Sequence, residues 1–344
     1  YMGKKLFDFC IGNPPYQGEN DKNGRQPPVY HEFMDAAYKI STIVELITPA
    51  RFLFDAGQTP KAWNEKMLKD SHLKILHYEK DATIVFPNTD IKGGVVVTYR
   101  NSDKVYDSIG IFTPYEQLNN ILKKILQNVD SFLDSIISSR GCYRFSEKFF
   151  QDNPKEKGRL DSGTGNMIVS NIFDNSPEVF CDNKKDDVNY IKLTGRAHNQ
   201  RVERYILRNW VQENNFLDCF NVLLTEANNS GAFGETLTPS LIAGPREGAT
   251  DTFISIGTFK TESEAINAAK YLKTKIARAL LGVKKATQHN PKSVWKYVPL
   301  QDFTSSSDID WSKSIHEIDL QLYKKYGLNQ EEIDFIEKNV KEMA

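Results

Sequence analysis

The chain has 344 residues, 40% hydrophobic, 26% charged and 11% aromatic, and 44 basic residues nearly balance 45 acidic ones for a net charge of -1. That composition excludes a disordered or fibrous polypeptide, and no apolar run approaches the roughly 20 residues of a membrane-spanning helix. The length predicts two domains, while four scattered cysteines, with no C-x-x-C pair and no metal-ligand spacing to the six histidines, predict a reducing cytoplasm and no metal.

Residues 6–12 read as a buried strand that runs into Asn13-Pro14-Pro15-Tyr16, a loop because two consecutive prolines continue neither a ladder nor a helix. Tyr30, Phe33, Met34, Ala37 and Tyr38 then fall at helical spacing, and residues 43–48 read as a second buried strand ending at Pro49. A helix over 61–69 and a strand over 74–78 follow. Residues 82–86 and 94–99 bracket a turn-rich 87–93 and read as a hairpin. The alternation predicts an α/β fold, a mostly parallel sheet with right-handed crossovers to which a terminal hairpin adds an antiparallel edge, as in the second half of a Rossmann-like sheet.

Thr113, Pro114 and Glu116 mark the start of a helix whose apolar stripe runs from Leu118 through Ile121, Leu122, Ile125, Val129 and Phe132 to Ile136. The domain boundary is placed near Asp107, giving domains 1–107 and 108–344. The second domain is expected to be mixed α+β, with loops at 161–166 and 228–234. One helix opens at Thr261-x-x-Glu264, carries Ala265, Ala269, Leu272, Ile276 and Leu280, and ends at Gly282. Two short helices close the chain, the last capped by Asn329 and Glu332 with Ile333, Ile336 and Val340 inward.

Charge is distributed unevenly. Residues 270–296 hold eight basic side chains (Lys270, Lys273, Lys275, Arg278, Lys284, Lys285, Lys292, Lys296) and no acidic one. Residues 184–208 are a second, weaker basic stretch that includes Arg196 and Arg201. Residues 301–344 reverse the balance, with ten acids against five bases, and are expected to face solvent or another protein and to avoid phosphate. Gln288, His289, Asn290 and Trp295, interleaved with Lys284, Lys285, Lys292 and Lys296, add groups that read bases or stack on them, so this stretch is the expected contact to double-stranded DNA.

The sharpest chemical signal is the strand delivering Asn13-Pro14-Pro15-Tyr16 to a sheet end. An exocyclic base amine is a poor nucleophile because its lone pair is delocalised into the ring, and two acceptors aimed at its two hydrogens make it tetrahedral. Asn13 offers a side-chain carbonyl and Pro14 a main-chain carbonyl, each residue held extended by the proline that follows. Prepositioned dipoles of this kind are worth about 10²- to 10³-fold in rate each, so no tuned base is needed. Tyr16 offers a ring on which a base rotated out of the duplex stacks.

These residues resemble the signature of amino-methyltransferases, and residues 8–100 are similar to the second half of the gamma class of N6-adenine DNA methyltransferases of restriction-modification systems. The resemblance implies S-adenosylmethionine as methyl donor, an extruded adenine as target, and a base contact from Phe86 of Val85-Phe86-Pro87. Residues 46–53 and 90–95 resemble further pieces of that catalytic domain, and residues 228–235, 287–292 and 295–300 resemble target-recognition regions. In that family a glycine-rich cofactor turn lies upstream of the tetrapeptide. The cofactor site is therefore expected mostly upstream of this chain, on a missing N-terminal methyltransferase half, and a nuclease or helicase part is a further possible partner. A permuted cofactor turn at residues 161–165 is weighed and set aside because it follows a charged loop rather than a strand.

Three other readings stay open at this point. The chain is a specificity module for a separate catalytic or nuclease part; or it methylates the amino nitrogen of cytosine; or Pro27-Pro28-Val29-Tyr30, a Pro-Pro-x-Tyr motif, makes it an adaptor ligand. The last conflicts with Tyr30 opening an apolar stripe.

Overall fold

The computed structural model describes residues 5–19, 26–54, 58–89, 91, 93–157, 166–184, 189–228, 230–285 and 287–343. It divides into two compact units, 1–119 and 120–344, so the division lies within a helix rather than near Asp107.

The first unit contains β1 (Phe7–Gly12), α1 (Tyr30–Ile40), β2 (Ser41–Pro49), α2 (Lys61–Lys69), β3 (Leu73–Glu79), β4 (Val95–Asn101) and the start of α3 (Glu116–Asn128). Helix α1 buries Tyr30, Met34, Ala37 and Tyr38, positions one helical face apart, onto a core that includes Val44, Leu46, Phe52, Trp63, Met67 and Val96. Because Tyr30 is only 3% exposed, its Pro-Pro-x-Tyr segment cannot serve as an adaptor ligand.

The sheet order is β1-β2-β4-β3, with β1 parallel to β2 and β4 antiparallel to both β2 and β3. The three strands β1, β2 and β3 thus point the same way, and the antiparallel strand is inserted between them instead of sitting at the edge. The expected hairpin of 82–86 with 94–99 does not form. Asp81 accepts hydrogen bonds from the Thr83 amide at 3.0 Å and the Thr83 hydroxyl at 2.6 Å, which turns Ala82–Ile84 into a short 3-10 helix. Both ladder edges of β4 are already taken, so no edge remains for a strand at 82–86. Gly94 is required where the chain enters β4: its φ is +78°, and a Cβ there would lie 2.2 Å from the Glu79 carbonyl oxygen.

The first strand was expected to be buried, but Phe7, Phe9 and Ile11 are 55%, 71% and 78% exposed. Strand β1 pairs with β2 along one edge, and among the described residues nothing pairs with the other.

The second unit continues α3 and adds α4 (Glu147–Asp152), α5 (Ile172–Asn175), β5 (Tyr190–Ala197), β6 (Gln200–Leu207), β7 (Phe220–Thr225), β8 (Leu241–Ala243), β9 (Glu247–Ala249) and β10 (Phe253–Phe259). Four helices complete it: α6 (Glu262–Lys273), α7 (Lys275–Leu281), α8 (Ile315–Lys325) and α9 (Gln330–Asn339). Strands β10, β7 and β8 form one three-stranded sheet and β6, β5 and β9 another, and both contribute to a core around Tyr143, Phe145, Leu193, Ile206, Leu223 and Phe253. The helix expected to run from Glu116 to Ile136 ends at Asn128, and Leu133–Ile136 is a separate 3-10 turn.

The helix expected between Thr261 and Gly282 is broken at Thr274. The Thr274 hydroxyl donates to the Tyr271 carbonyl at 2.7 Å, and the Asp319 carboxylate of α8 accepts from the Lys275 and Ile276 amides at 2.8 and 3.0 Å, capping α7 from outside its own sequence. The capping box of Asn329 and Glu332 forms as read from the sequence. The acidic 301–344 segment is not a solvated tail: Ile318, Leu322, Tyr323 and Ile336 are buried in the second unit. Among the described residues no helix is long and apolar enough to cross a membrane.

Burial pushes the Asp319 carboxyl up from 3.8 to about 6, against the opposing pull of the Ile276 and Lys275 amides. A folded-state value above the unfolded one means that folding takes up a proton. The contribution of Asp319 is therefore complete below about pH 4 and falls by about 3 kcal/mol as pH rises through 6. Urea titrations from pH 4 to 7 should show this loss in the wild-type chain and a flatter profile for Asp319→Asn; parallel profiles would refute the assignment.

Candidate functional site

In an open α/β sheet the chain leaves the core at the carboxyl ends of the parallel strands, and loops there form the binding crevice. Gly12 at the end of β1 pairs with Leu46, three residues before β2 stops at Pro49. The loop after β1 and the loop after β2 consequently emerge on the same side. Asn13 is exposed directly beyond β1, and among the described residues its side chain makes no hydrogen bond. Pro14 and Tyr16 are half-buried.

Tyr16 is fixed by main-chain bonds to the segment before α1: Val29 donates to the Tyr16 carbonyl at 3.1 Å, Gly18 donates to the Pro27 carbonyl at 2.8 Å, and Gln17 bridges Pro28. The Pro-Pro-Val-Tyr segment thus holds the tetrapeptide loop in place. Phe86, set by its amide bond to the Ala82 carbonyl at 2.8 Å, brings its ring to 6.3 Å from that of Tyr16, edge to face at 75°. The two residues, 70 positions apart in sequence, meet as a pair.

Beside Tyr16 lies a cleft of about 240 Å³ whose lining includes Tyr16, Tyr30, Pro49, Arg51, Gln58 and Ile91 but not Asn13, Pro14 or Phe86. Its volume is below the ~300 Å³ at which drug-sized pockets begin, a scale suited to one flat ring system. Burial raises the Tyr16 hydroxyl to about 12, so the ring is neutral, and among the described residues its buried oxygen has no hydrogen-bond partner. Arg51 lies in the 46–53 stretch singled out from sequence, although its place in the lining was not foreseen.

The residues expected to touch DNA separate into two groups. Lys284, Gln288, His289, Lys292 and Lys296 are exposed, and Lys284 and Lys296 each sit 5.9 Å from the Tyr297 ring centroid. Asn290 and Trp295 are 0% exposed and Lys285 is 6% exposed, so these three are removed from the contact set. The reason is local packing. Asn290 donates to the Thr225 carbonyl at 3.0 Å, Trp295 belongs to the hydrophobic core, and Lys285 donates to the Thr287 carbonyl at 2.9 Å beside Glu235 at 3.7 Å. Burial opposes ionisation of Glu235, but the Ser230 and Gly231 amides, the Ser230 hydroxyl and Lys285 hold its carboxyl below the ordinary range.

Glu235 and Lys285 thereby tie together the 228–235 and 287–292 stretches. Gly231, at φ +83°, lies so close to the Thr287 backbone that a Cβ would fall 2.2 Å from it. Arg196 and Arg201 are exposed and directly opposite each other on the β5–β6 hairpin. With His289 they line one cleft in the second unit, together with Arg140, Glu226 and Asp251, which sequence reading missed. Arg140 and Asp251 are 111 residues apart, and no local pattern marks them. The 161–165 stretch weighed as a cofactor turn lies outside the described residues.

Comparison with known proteins bears on the first unit. Residues 1–86 match the family model "Eco57I restriction-modification methylase". An "Uncharacterized adenine-specific methylase" of Mycoplasma pneumoniae is 31% identical over 99 residues, 27% of this chain and 23% of that protein. The match thus spans about a quarter of that relative's length. A solved chain of the type IIL restriction-modification enzyme MmeI in complex with DNA aligns over 96% of this chain and 56% of its own, at 12% identity and a TM-score of 0.35, a likeness too low to argue from. The resemblance to adenine-specific restriction-modification methylases read from the tetrapeptide stands on the first two matches.

The division between buried and exposed lysines is testable by thermal unfolding. Lys285→Ala, which strips a buried carboxylate of a cationic neighbour, should cost about 3 kcal/mol. Lys292→Ala and Lys296→Ala should stay within about 0.5 kcal/mol of wild type. Equal effects at all three positions would contradict the placement of Lys285.

Proposed function

We propose that this chain carries the target-base site and the DNA-reading unit of a restriction-modification DNA methyltransferase that modifies the N6 amine of an extruded adenine. The observation that carries the reading is the meeting of the Tyr16 and Phe86 rings close to the strand end where Asn13 is exposed, with a cleft of about 240 Å³ opening beside Tyr16. Asn13 Oδ1 and the Pro14 carbonyl oxygen accept the two amine hydrogens, which localises the nitrogen lone pair for attack. Tyr16 gives the base a face to stack on, and Phe86, edge-on to that ring, bounds it. A base paired and stacked within the duplex cannot reach this cleft, so the base must be rotated out to enter it.

S-adenosylmethionine supplies the methyl group in this reaction. The described residues do not fit it: none forms a glycine-rich strand-to-helix turn of the expected kind, so no step is routed through them. The bare apolar edge of β1 is consistent with that function residing on a further part of the protein that pairs with this strand, because an unpaired edge with exposed Phe7, Phe9 and Ile11 is otherwise an aggregation hazard. The second unit selects the DNA sequence, with Lys284, Lys292 and Lys296 near phosphate.

Amine methylation of cytosine would use the same two acceptors, and mass mapping of the modified nucleoside separates the two targets. In a methylation-competent form of the protein, Asn13→Ala should lower turnover at least about 100-fold while DNA affinity stays within about threefold. Tyr16→Phe should retain turnover, because the hydroxyl has no partner among the described residues, whereas Tyr16→Ala should lose about 5- to 150-fold through lost stacking. Wild-type turnover in Asn13→Ala would overturn the proposal.

A further inference from the structure

The cleft of the second unit has a composition that a simple phosphate-binding surface would not have. Arg196 and Arg201 occupy adjacent strands at the tip of a tight hairpin, whose two turn residues, His198 and Asn199, both have positive φ. Like charges directly opposite on a sheet repel, and among the described residues neither arginine has an acidic ion-pair partner. An anion at this rim would relieve that repulsion. The Arg201 guanidinium also lies 5.6 Å from the Phe253 ring centroid, which holds it over the cleft.

Deeper in the same cleft the signs change. Asp251, with its side chain only 7% exposed, holds Arg140 at 2.8 Å through Oδ2, and among the described residues its other, buried carboxylate oxygen has no partner. Glu226, with its side chain 11% exposed, contacts His289 Nδ1 at 2.9 Å. Two carboxylates would repel a phosphate brought this close. They suit instead a surface that presents hydrogen-bonding groups without formal charge, which is what base edges do in the major groove.

Arg140 is placed for such a surface. Its side chain is 57% exposed, and among the described residues Asp251 is its one ion-pair partner, taking up one end of the guanidinium and fixing its plane. The remaining N–H donors keep the planar fork that matches the O6 and N7 acceptors of guanine.

We propose that Arg140 reads a guanine in the major groove of duplex DNA, that Asp251 is its positioning residue, and that Arg196 and Arg201 hold the flanking phosphates. This rests on the reading of the second unit as the DNA-selecting part, and the test separates the two. The full chain is used to select duplexes from a randomised library at low salt, and affinities are then measured by fluorescence anisotropy. Wild type should enrich a motif containing a fixed guanine. Arg140→Ala should lose that position alone, with affinity for the wild-type motif falling about 5- to 150-fold. Asp251→Asn should relax the same position, and Arg201→Ala should weaken all sequences alike with a shallower salt dependence.

Replacing the fixed guanine by 7-deazaguanine, which removes only the N7 acceptor, should weaken wild type by about tenfold and leave Arg140→Ala unchanged. Retention of the guanine by Arg140→Ala overturns the assignment while leaving DNA selection intact. Absence of any bound or enriched duplex with wild type overturns both. Should Arg140→Ala fail to fold, indifference of the wild-type chain to 7-deazaguanine at every motif position is by itself enough to refute the proposal.

Discussion

The parallel pairing of β1 with β2, stopped by two prolines, is the constraint on which the first unit turns. Parallel strands deliver their carboxyl ends to one side of a sheet, and Pro14 and Pro15 forbid β1 from continuing past that side. Asn13 is thereby left exposed at the sheet's rim, Tyr16 is tied back to residues 27–29, and the segment after β3 folds over to bring Phe86 against Tyr16. None of these positions depends on a titrating group. The chemistry proposed for the site is that of fixed dipoles, and what the fold contributes is their direction.

The same constraint leaves a cost at the other edge of β1. A strand that carries Phe7, Phe9 and Ile11 and, among the described residues, is paired on one side only presents both apolar surface and unpaired backbone groups. Strand β4, in the interior of the same sheet, shows the contrast: with ladders on both sides, it buries Val95 and Val96 almost completely. The strand nearest the proposed chemistry is therefore the least protected one in the sheet, which is why a further element pairing with it forms part of the proposed function.

In the second unit the organising feature is the sorting of charge by depth. Lysines that look alike in sequence divide into one buried with Glu235, Lys285, and others held near an aromatic ring at the surface, Lys284 and Lys296. Acids follow the same division. Glu235 is spent on loop amides, Asp319 on the first amides of α7, and Glu226 and Asp251 on orienting a histidine and an arginine in an open cleft. Of these acids, only Glu226 and Asp251 leave the side chain they hold substantially exposed.

By itself the sequence determined the local events. The proline stop after β1, the apolar face of α1 and the capping box of α9 all follow from residues within one turn or one strand of each other, where short-range sterics and side-chain hydrogen bonds decide the outcome. The Asn13-to-Tyr16 signal was legible for the same reason. Tertiary structure decided whatever depends on which surfaces meet: the insertion of β4 between β2 and β3, the break at Thr274 capped by Asp319, the burial of Lys285, Asn290 and Trp295, and the convergence of Arg140, Arg196, Arg201, Asp251 and His289. A run of lysines carries no record of which one will face a carboxylate in the interior. Burial is a property of two packed surfaces and not of one segment.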